Sequence, residues 1–218
     1  ARADLGDGVK GIVLDMRGNP GGVLKQSIEV ADLFLAQGRI SETRGRHPDS
    51  LQSYDAGGRD MAYGRPVVVL VDGKSASAAE VTAAALQDRG RAIIVGTSSF
   101  GKGTVQTVIR LPNEGEITLT WSRLIAPSGY ILHDLGIFPM ICTSGIDGNT
   151  IDGRSVIKKA LAKQIRTPTV RDAWRKTSYL EKQKRRKLRS LCPPERRKLK
   201  LEIRVAETML QDKALYTH

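Results

Sequence analysis

An α/β fold is predicted by three features of this 218-residue chain. Two apolar runs each pass through a turn into a helical stretch: Lys10 to Arg17 before Gly18-Asn19-Pro20-Gly21-Gly22, and Pro66 to Asp72 before Lys74-Ser75-Ala76-Ser77. A further apolar run, Arg91 to Gly96, follows the second helix, and strands that alternate with helices argue for parallel neighbours. Beyond it, Thr104 to Leu111 and Ile117 to Leu124 alternate around Pro112-Asn113-Glu114-Gly115-Glu116, which reads as a β-hairpin.

Taken in order, the first turn is tight, because Pro20 fixes φ and the glycines permit positive φ. Val23 to Gln37 reads as a helix, with Val23, Leu24, Ile28, Ala31 and Leu35 on one face and a stop at Gly38. A short strand at Arg39 to Arg44 and a polar loop from His47 to Met61 follow. Ala78 to Asp88 is a helix of small residues closed by Gly90. Gly and Asp residues mark a boundary near residue 145, dividing a core over 1–145 from a basic, mainly helical region over 146–218. In that region Ser155 to Gln164 reads as helical, and so do 171–191 and 194–215, broken at Pro193-Pro194. Leu199, Ile203, Ala206, Leu210 and Ala214 fall at helical spacing, an apolar face for a partner or for the core.

The net charge of +12 is uneven. Residues beyond 150 carry 20 Lys/Arg against 7 Asp/Glu, whereas the first 150 carry 15 against 16. The basic character therefore belongs to the tail and says nothing about a ligand of the core. Lys182 to Arg189 and Arg196 to Lys200 are dense enough to attract phosphate, but Trp174, Tyr179 and Tyr216 are too few for base stacking, so nucleic-acid binding is not expected. A solvated basic helix or a dimer-forming arm is the plainer reading. No run has the length of a membrane span, and the polar start, Ala1 to Lys10, is no signal peptide. Cys142 and Cys192 permit one disulfide and form no zinc pattern. His47, His133 and His218 do not suggest a metal site or a Ser-His-Asp triad.

The chemistry concentrates at two stretches. Ser77 stands where a strand turns into a helix, at the positive helix end, where backbone N–H groups lack partners. That placement suits a nucleophile whose product is an oxyanion. Ser77-x-x-Glu80 is equally a capping box, which needs no chemistry. Lys102 lies between Gly101 and Gly103 and is the candidate general base, an alternative to an ordinary surface lysine. The run Gly96 to Gly103 nearly spells a phosphate-binding loop, but Gly103 stands where Ser or Thr must hold magnesium, and a strand follows where a helix is required. Gly21 and Gly22 offer bare N–H groups for half of an oxyanion hole. On a strand Lys102, Thr104 and Gln106 share a face, which places Gln106 to hold the lysine amine.

These motifs resemble the C-terminal processing peptidases, or tail-specific proteases, which use a Ser-Lys dyad. The resemblance rests on Gly11 to Gly22 (GIVLDMRGNPGG), on Ser75 to Glu80 (SASAAE), on Ala84 to Asp88 (AALQD) and on Gly96 to Gln106, and covers about residues 10–140. It implies a crotonase-like α/β core without cofactor or metal, with Ser77 as nucleophile, Lys102 as base and Gln106 orienting the lysine. The N–H of Ala78 and one from Gly21 or Gly22 would form the oxyanion hole, and Asp88 would be structural. It further implies polypeptide substrates with apolar C-terminal tails, an extracytoplasmic, periplasmic setting, and a PDZ domain and further core strands that this chain lacks. The family's basic residue after Pro-Ser-Gly is replaced by Tyr130, and its acidic residue after the later proline by Met140. A homodimer, or an inactive peptide-binding protein on the same fold with a tail for acidic partners, are the other readings. A base lysine must be neutral, which requires burial away from water and acids.

Overall fold

The computed structural model describes residues 8–146, 152–162, 168–197 and 200–216. In chain order the elements are β1 (Ile12–Asp15), α1 (Leu24–Asp32), β2 (Phe34–Leu35), β3 (Arg39–Gly45), a 3-10 turn (Pro48–Ser50), β4 (Gln52–Asp55), β5 (Arg59–Asp60), β6 (Val67–Val71), α2 (Ala78–Asp88), β7 (Ala92–Gly96), β8 (Thr104–Arg110), β9 (Glu116–Ile125), β10 (Ile141–Cys142), α3 (Gly153–Ala162), α4 (Pro168–Lys176), α5 (Lys182–Arg189), α6 (Leu201–Gln211) and α7 (Lys213–Tyr216).

The expected α/β architecture is present. A parallel sheet runs β1-β6-β7-β10, an antiparallel sheet runs β4-β3-β9-β8, and β2 pairs with β5. Every residue of β6 and β7 is buried, which is why both strands read as unbroken apolar runs. Their alternate residues face two apolar clusters. Val67, Val69, Val71 and Ile94 meet the small residues of α2, together with Trp174 of α4 and Leu188 of α5. Val68, Leu70, Ile93 and Val95 meet Val156 and Ile157 of α3 and Leu201, Val205, Ala206 and Met209 of α6. The C-terminal helices thus cover one face of the sheet and contribute to the other.

Helix α2 is almost wholly buried, and its alanines let it lie close on α1, β3 and β7. The hairpin forms as expected from β8 and β9, with a register shift between Val105 and Gln106. The stretch 171–191, expected as helical throughout, is two helices, α4 and α5, parted by a turn in which Ser178 N–H donates to Glu181 Oε2 at 2.8 Å, and 194–215 becomes helical, among the described residues, only at Leu201. Three further expectations need correction. The first helix ends at Asp32, five residues before Gln37, because tertiary partners take over the next carbonyls: Met61 N–H donates to Leu33 O at 2.7 Å and Arg91 Nε to Phe34 O at 3.0 Å. The polar loop contains β4 and β5, since pairing at a sheet edge uses backbone groups whatever the side chains are. The buried stripe of α6 is Leu201, Val205, Ala206 and Met209, with Ile203 and Leu210 only partly buried beside it; Leu199 lies outside the described residues. Its apolar face serves the core. Cys142 and Cys192 form a disulfide that ties β10 to the segment after α5.

Candidate active site

Two turns at the C-terminal ends of neighbouring parallel strands are stitched together. Buried Asp72, at the end of β6, accepts through Oδ1 from the N–H groups of Gly18 and Lys74 at 2.9 Å and of Ser75 at 3.0 Å. Ser75 Oγ donates to Met16 O at 2.8 Å, and Ala76 N–H to Asn19 O at 2.9 Å. Gly21 packs against the second turn at φ +103°, where a Cβ would stand 2.7 Å from Ala76 O and 2.9 Å from Ala78 N. Only glycine fits there.

Ser77 follows with φ 55° and ψ −118°, a conformation that costs a non-glycine residue on the order of 1–3 kcal/mol. Three backbone bonds hold it: its N–H donates to Glu80 Oε2 at 2.8 Å, and its carbonyl accepts from Glu80 N–H at 2.9 Å and Val81 N–H at 3.1 Å. The Glu80 half of the capping box is therefore made at the start of α2, while the half-buried Ser77 side chain makes no capping hydrogen bond.

Glu80 does more than cap. Its carboxylate is fully buried, and it also accepts from the Ser99 hydroxyl, from Gly101 N–H at 2.7 Å and from Lys102 N–H at 2.8 Å. Burial pushes its pKa up, while these four donors pull the other way. One buried side chain thus fixes the serine turn and the lysine loop relative to each other. Gly103 allows that loop to approach residues 132–133, where a Cβ would stand 2.1 Å from His133 N.

Ser77, Ala78, Gly22, Lys102 and Gln106 all border one cavity of about 280 Å³, completed by Leu24, Thr104, Val105 and Leu124. A second cavity, about 190 Å³, shares Gly22 and Ala78 with the first and includes Gly21, Met16, Val23 and Val30. Gly21 N–H is occupied by Asn19 Oδ1 at 2.9 Å. The N–H groups of Gly22 and Ala78 have no partner among the described residues. Lys102 is exposed, contrary to the burial expected for it, because its neighbours Gly101 and Gly103 have no side chains to cover it. Gln106 is exposed as well, and no hydrogen bond among the described residues joins it to Lys102.

Asp88 ends α2 away from this cavity. It pairs with Arg175 at 2.7 Å and accepts from Ser128 N–H at 3.0 Å and Ser128 Oγ at 2.5 Å. Tyr130 and Met140 stand at that end too, lining a small pocket with Asp88 and Trp174. Sequence reasoning read Glu80 only as a cap; its reach to residues 99–102 has no local signature.

A strained serine at a strand–helix junction, a lysine and two N–H groups without a partner among the described residues thus border one cavity of an α/β core. The match to the family described as peptidase family S41 spans residues 2–142, and the chain belongs to that family. It is 49% identical over 135 residues to a carboxy-terminal-processing protease of Bartonella bacilliformis, covering 62% of this chain and 31% of that protein. With a carboxyl-terminal-processing protease of Synechocystis sp. it shares 41% over 132 residues, covering 61% and 30%. This chain thus spans about a third of the length of these relatives. Among solved structures, the photosystem II D1 C-terminal processing protease matches with TM-score 0.56 and 35% identity over 61% of this chain and 34% of that one. Mature CPAF matches with TM-score 0.53, 16% identity, and coverage of 63% and 40%, a likeness of fold alone.

Proposed function

We propose that this chain is the catalytic core of a serine endopeptidase that processes the C-terminal ends of polypeptides, with Ser77 as nucleophile and Lys102 as general base. The observation that carries the reading is the shared cavity, in which Ser77, Lys102 and the unpartnered N–H groups of Gly22 and Ala78 converge. The names of the relatives supply the substrate class.

Ser77 Oγ attacks the scissile carbonyl while neutral Lys102 takes its proton. The carbonyl oxygen, now an oxyanion, is met by the N–H groups of Ala78 and Gly22; Gly21 serves instead as the hinge that brings Gly22 into place. Lys102 returns the proton to the leaving amine, and water, deprotonated by the same lysine, releases the acyl group. Seating the substrate removes water from the cavity wall formed by Leu24, Val105 and Leu124. Gln106, on the same wall, orients Lys102 once the complex forms. Tails with apolar ends suit that wall.

An extracytoplasmic site of action is supported by the Cys142–Cys192 disulfide, which persists in oxidising compartments. No described helix is long and apolar enough to cross a membrane. Mass spectrometry during turnover of an unstructured peptide tests the mechanism. A covalent acyl adduct on Ser77 is expected; turnover with no adduct in rapidly quenched samples, and undiminished in Ser77→Ala, would contradict it.

A further inference from the structure

Past residue 142, where the family match ends, the chain returns to the loop that carries Lys102. Arg189, the last residue of α5, donates through Nη2 to Ser99 O at 2.9 Å and to Phe100 O at 3.4 Å, and through Nη1 to Leu135 O at 2.5 Å. Ser99 and Phe100 are the third and second residues before Lys102. Across the loop, Glu80 takes the donors of Ser99, Gly101 and Lys102. The segment is therefore clamped from both sides: a carboxylate collects its donors and a guanidinium collects its carbonyls. The two clamps face each other over Gly136, where a Cβ would stand 3.0 Å from both Arg189 Nη1 and Glu80 Oε1.

Arg189 is itself held. One turn earlier in α5, buried Arg185 donates through Nη2 to the carbonyls of Ile131 and His133, each at 2.6 Å. Leu188 packs in the core, and Cys192, three residues after Arg189, is bonded to Cys142. A planar five-donor fork can bridge three carbonyls at once, which a lysine ammonium on a flexible stem does with far less definition.

We propose that Arg189 is a positioning residue for the general base: it fixes the path of residues 99–102 and thereby aims Lys102 at Ser77. The proposal rests on the assignment of Lys102 as base. Its mark is a defect in the chemical step with substrate binding spared.

The test compares steady-state cleavage of one peptide by wild type, Arg189→Met and Lys102→Ala in the active enzyme. Arg189→Met is expected to lower kcat by about 10- to 100-fold, the scale of a small misplacement of a catalytic group, with KM within about twofold. In Arg189→Ala, which leaves the space of the guanidinium open, added guanidinium at millimolar concentration is expected to restore part of the lost kcat. A wild-type kcat in Arg189→Met beside an inactive Lys102→Ala overturns the proposal and leaves the dyad standing. A loss that guanidinium does not reverse, or that falls on KM, assigns Arg189 a merely structural role and overturns it too. Lys102→Ala with wild-type activity removes the dyad itself. Should Arg189→Met fail to fold, Arg189→Lys gives the same reading: it keeps the charge and lacks the fork, so a smaller fall in kcat is expected, and wild-type kcat overturns the proposal.

Discussion

The N–H groups of Ser77 and Lys102 donate to the same oxygen, Glu80 Oε2, each at 2.8 Å. The two residues are 25 positions apart in sequence and belong to loops after different strands. Their common acceptor sets the spacing of the backbone from which the Ser77 and Lys102 side chains project. Glu80 Oε1 receives the remaining donors of the lysine loop, so both oxygens are saturated.

Removing that carboxylate should loosen both loops together. Glu80→Ala leaves several buried donors unsatisfied, each worth about 1–3 kcal/mol, so a loss of about 3 kcal/mol or more is expected in denaturant unfolding. Glu80→Gln retains one acceptor oxygen and sets an NH2 group against a donor. It should be milder in stability yet still impair peptide cleavage. Wild-type stability in Glu80→Ala would contradict the bridge.

Gly21 is the narrowest point between the two stitched turns. Gly21→Ala forces a methyl against Ala76 O and Ala78 N at a positive φ, and should destabilise by about 1–3 kcal/mol. Because Gly21 carries Gly22 into place, the variant is expected to lose more in kcat than in KM. Equal kcat in the two proteins would remove Gly22 from the oxyanion site.

The disulfide closes a loop with a sequence separation of 50, reaching from β10 to the segment after α5. Loop-entropy scaling gives about 4 kcal/mol for such a closure. Cys192→Ser, or reduction of the bond, should lower the unfolding free energy by about that amount. An unchanged denaturation midpoint under reducing conditions would contradict a structural role.

Asp15 responds to acid. Its side-chain hydrogen bonds from Arg17, at 2.8 and 2.6 Å, hold its pKa below the ordinary aspartate value. With the folded-state value depressed, its contribution to stability is present above the unfolded pKa and is lost as pH falls through the folded value. Wild type should therefore lose stability more steeply than Asp15→Asn on acidification below about pH 4. Parallel acid-unfolding curves would show that the pair contributes nothing.

Much of this was legible because local pattern and tertiary role agreed. The span Ala78–Asp88 is bounded by a capping box and by Gly90, and the alanines that favour helix also permit its burial between sheet and α1. The strands Val67–Val71 and Ala92–Gly96 announce themselves as fully buried runs. The turns at Gly18–Gly22 and at Ser77 were legible because strand–turn–helix junctions are marked by short-range residue choice. What escaped was decided at long range. Gln52–Asp55 pairs through backbone at a sheet edge and leaves no apolar alternation. The end of α1 is set by Met61 and Arg91, far along the chain. The exposure of Lys102 follows from what fails to cover it, and the reach of Arg189 back to Ser99 spans 90 residues.

The most direct test of the central claim is kcat/KM for cleavage of an unstructured, apolar-ended polypeptide by wild type, Ser77→Ala and Lys102→Ala under identical conditions. The account predicts cleavage by wild type and a fall of at least about 10³-fold in each variant, with folding intact. Cleavage by Lys102→Ala at the wild-type rate would contradict a Ser-Lys mechanism.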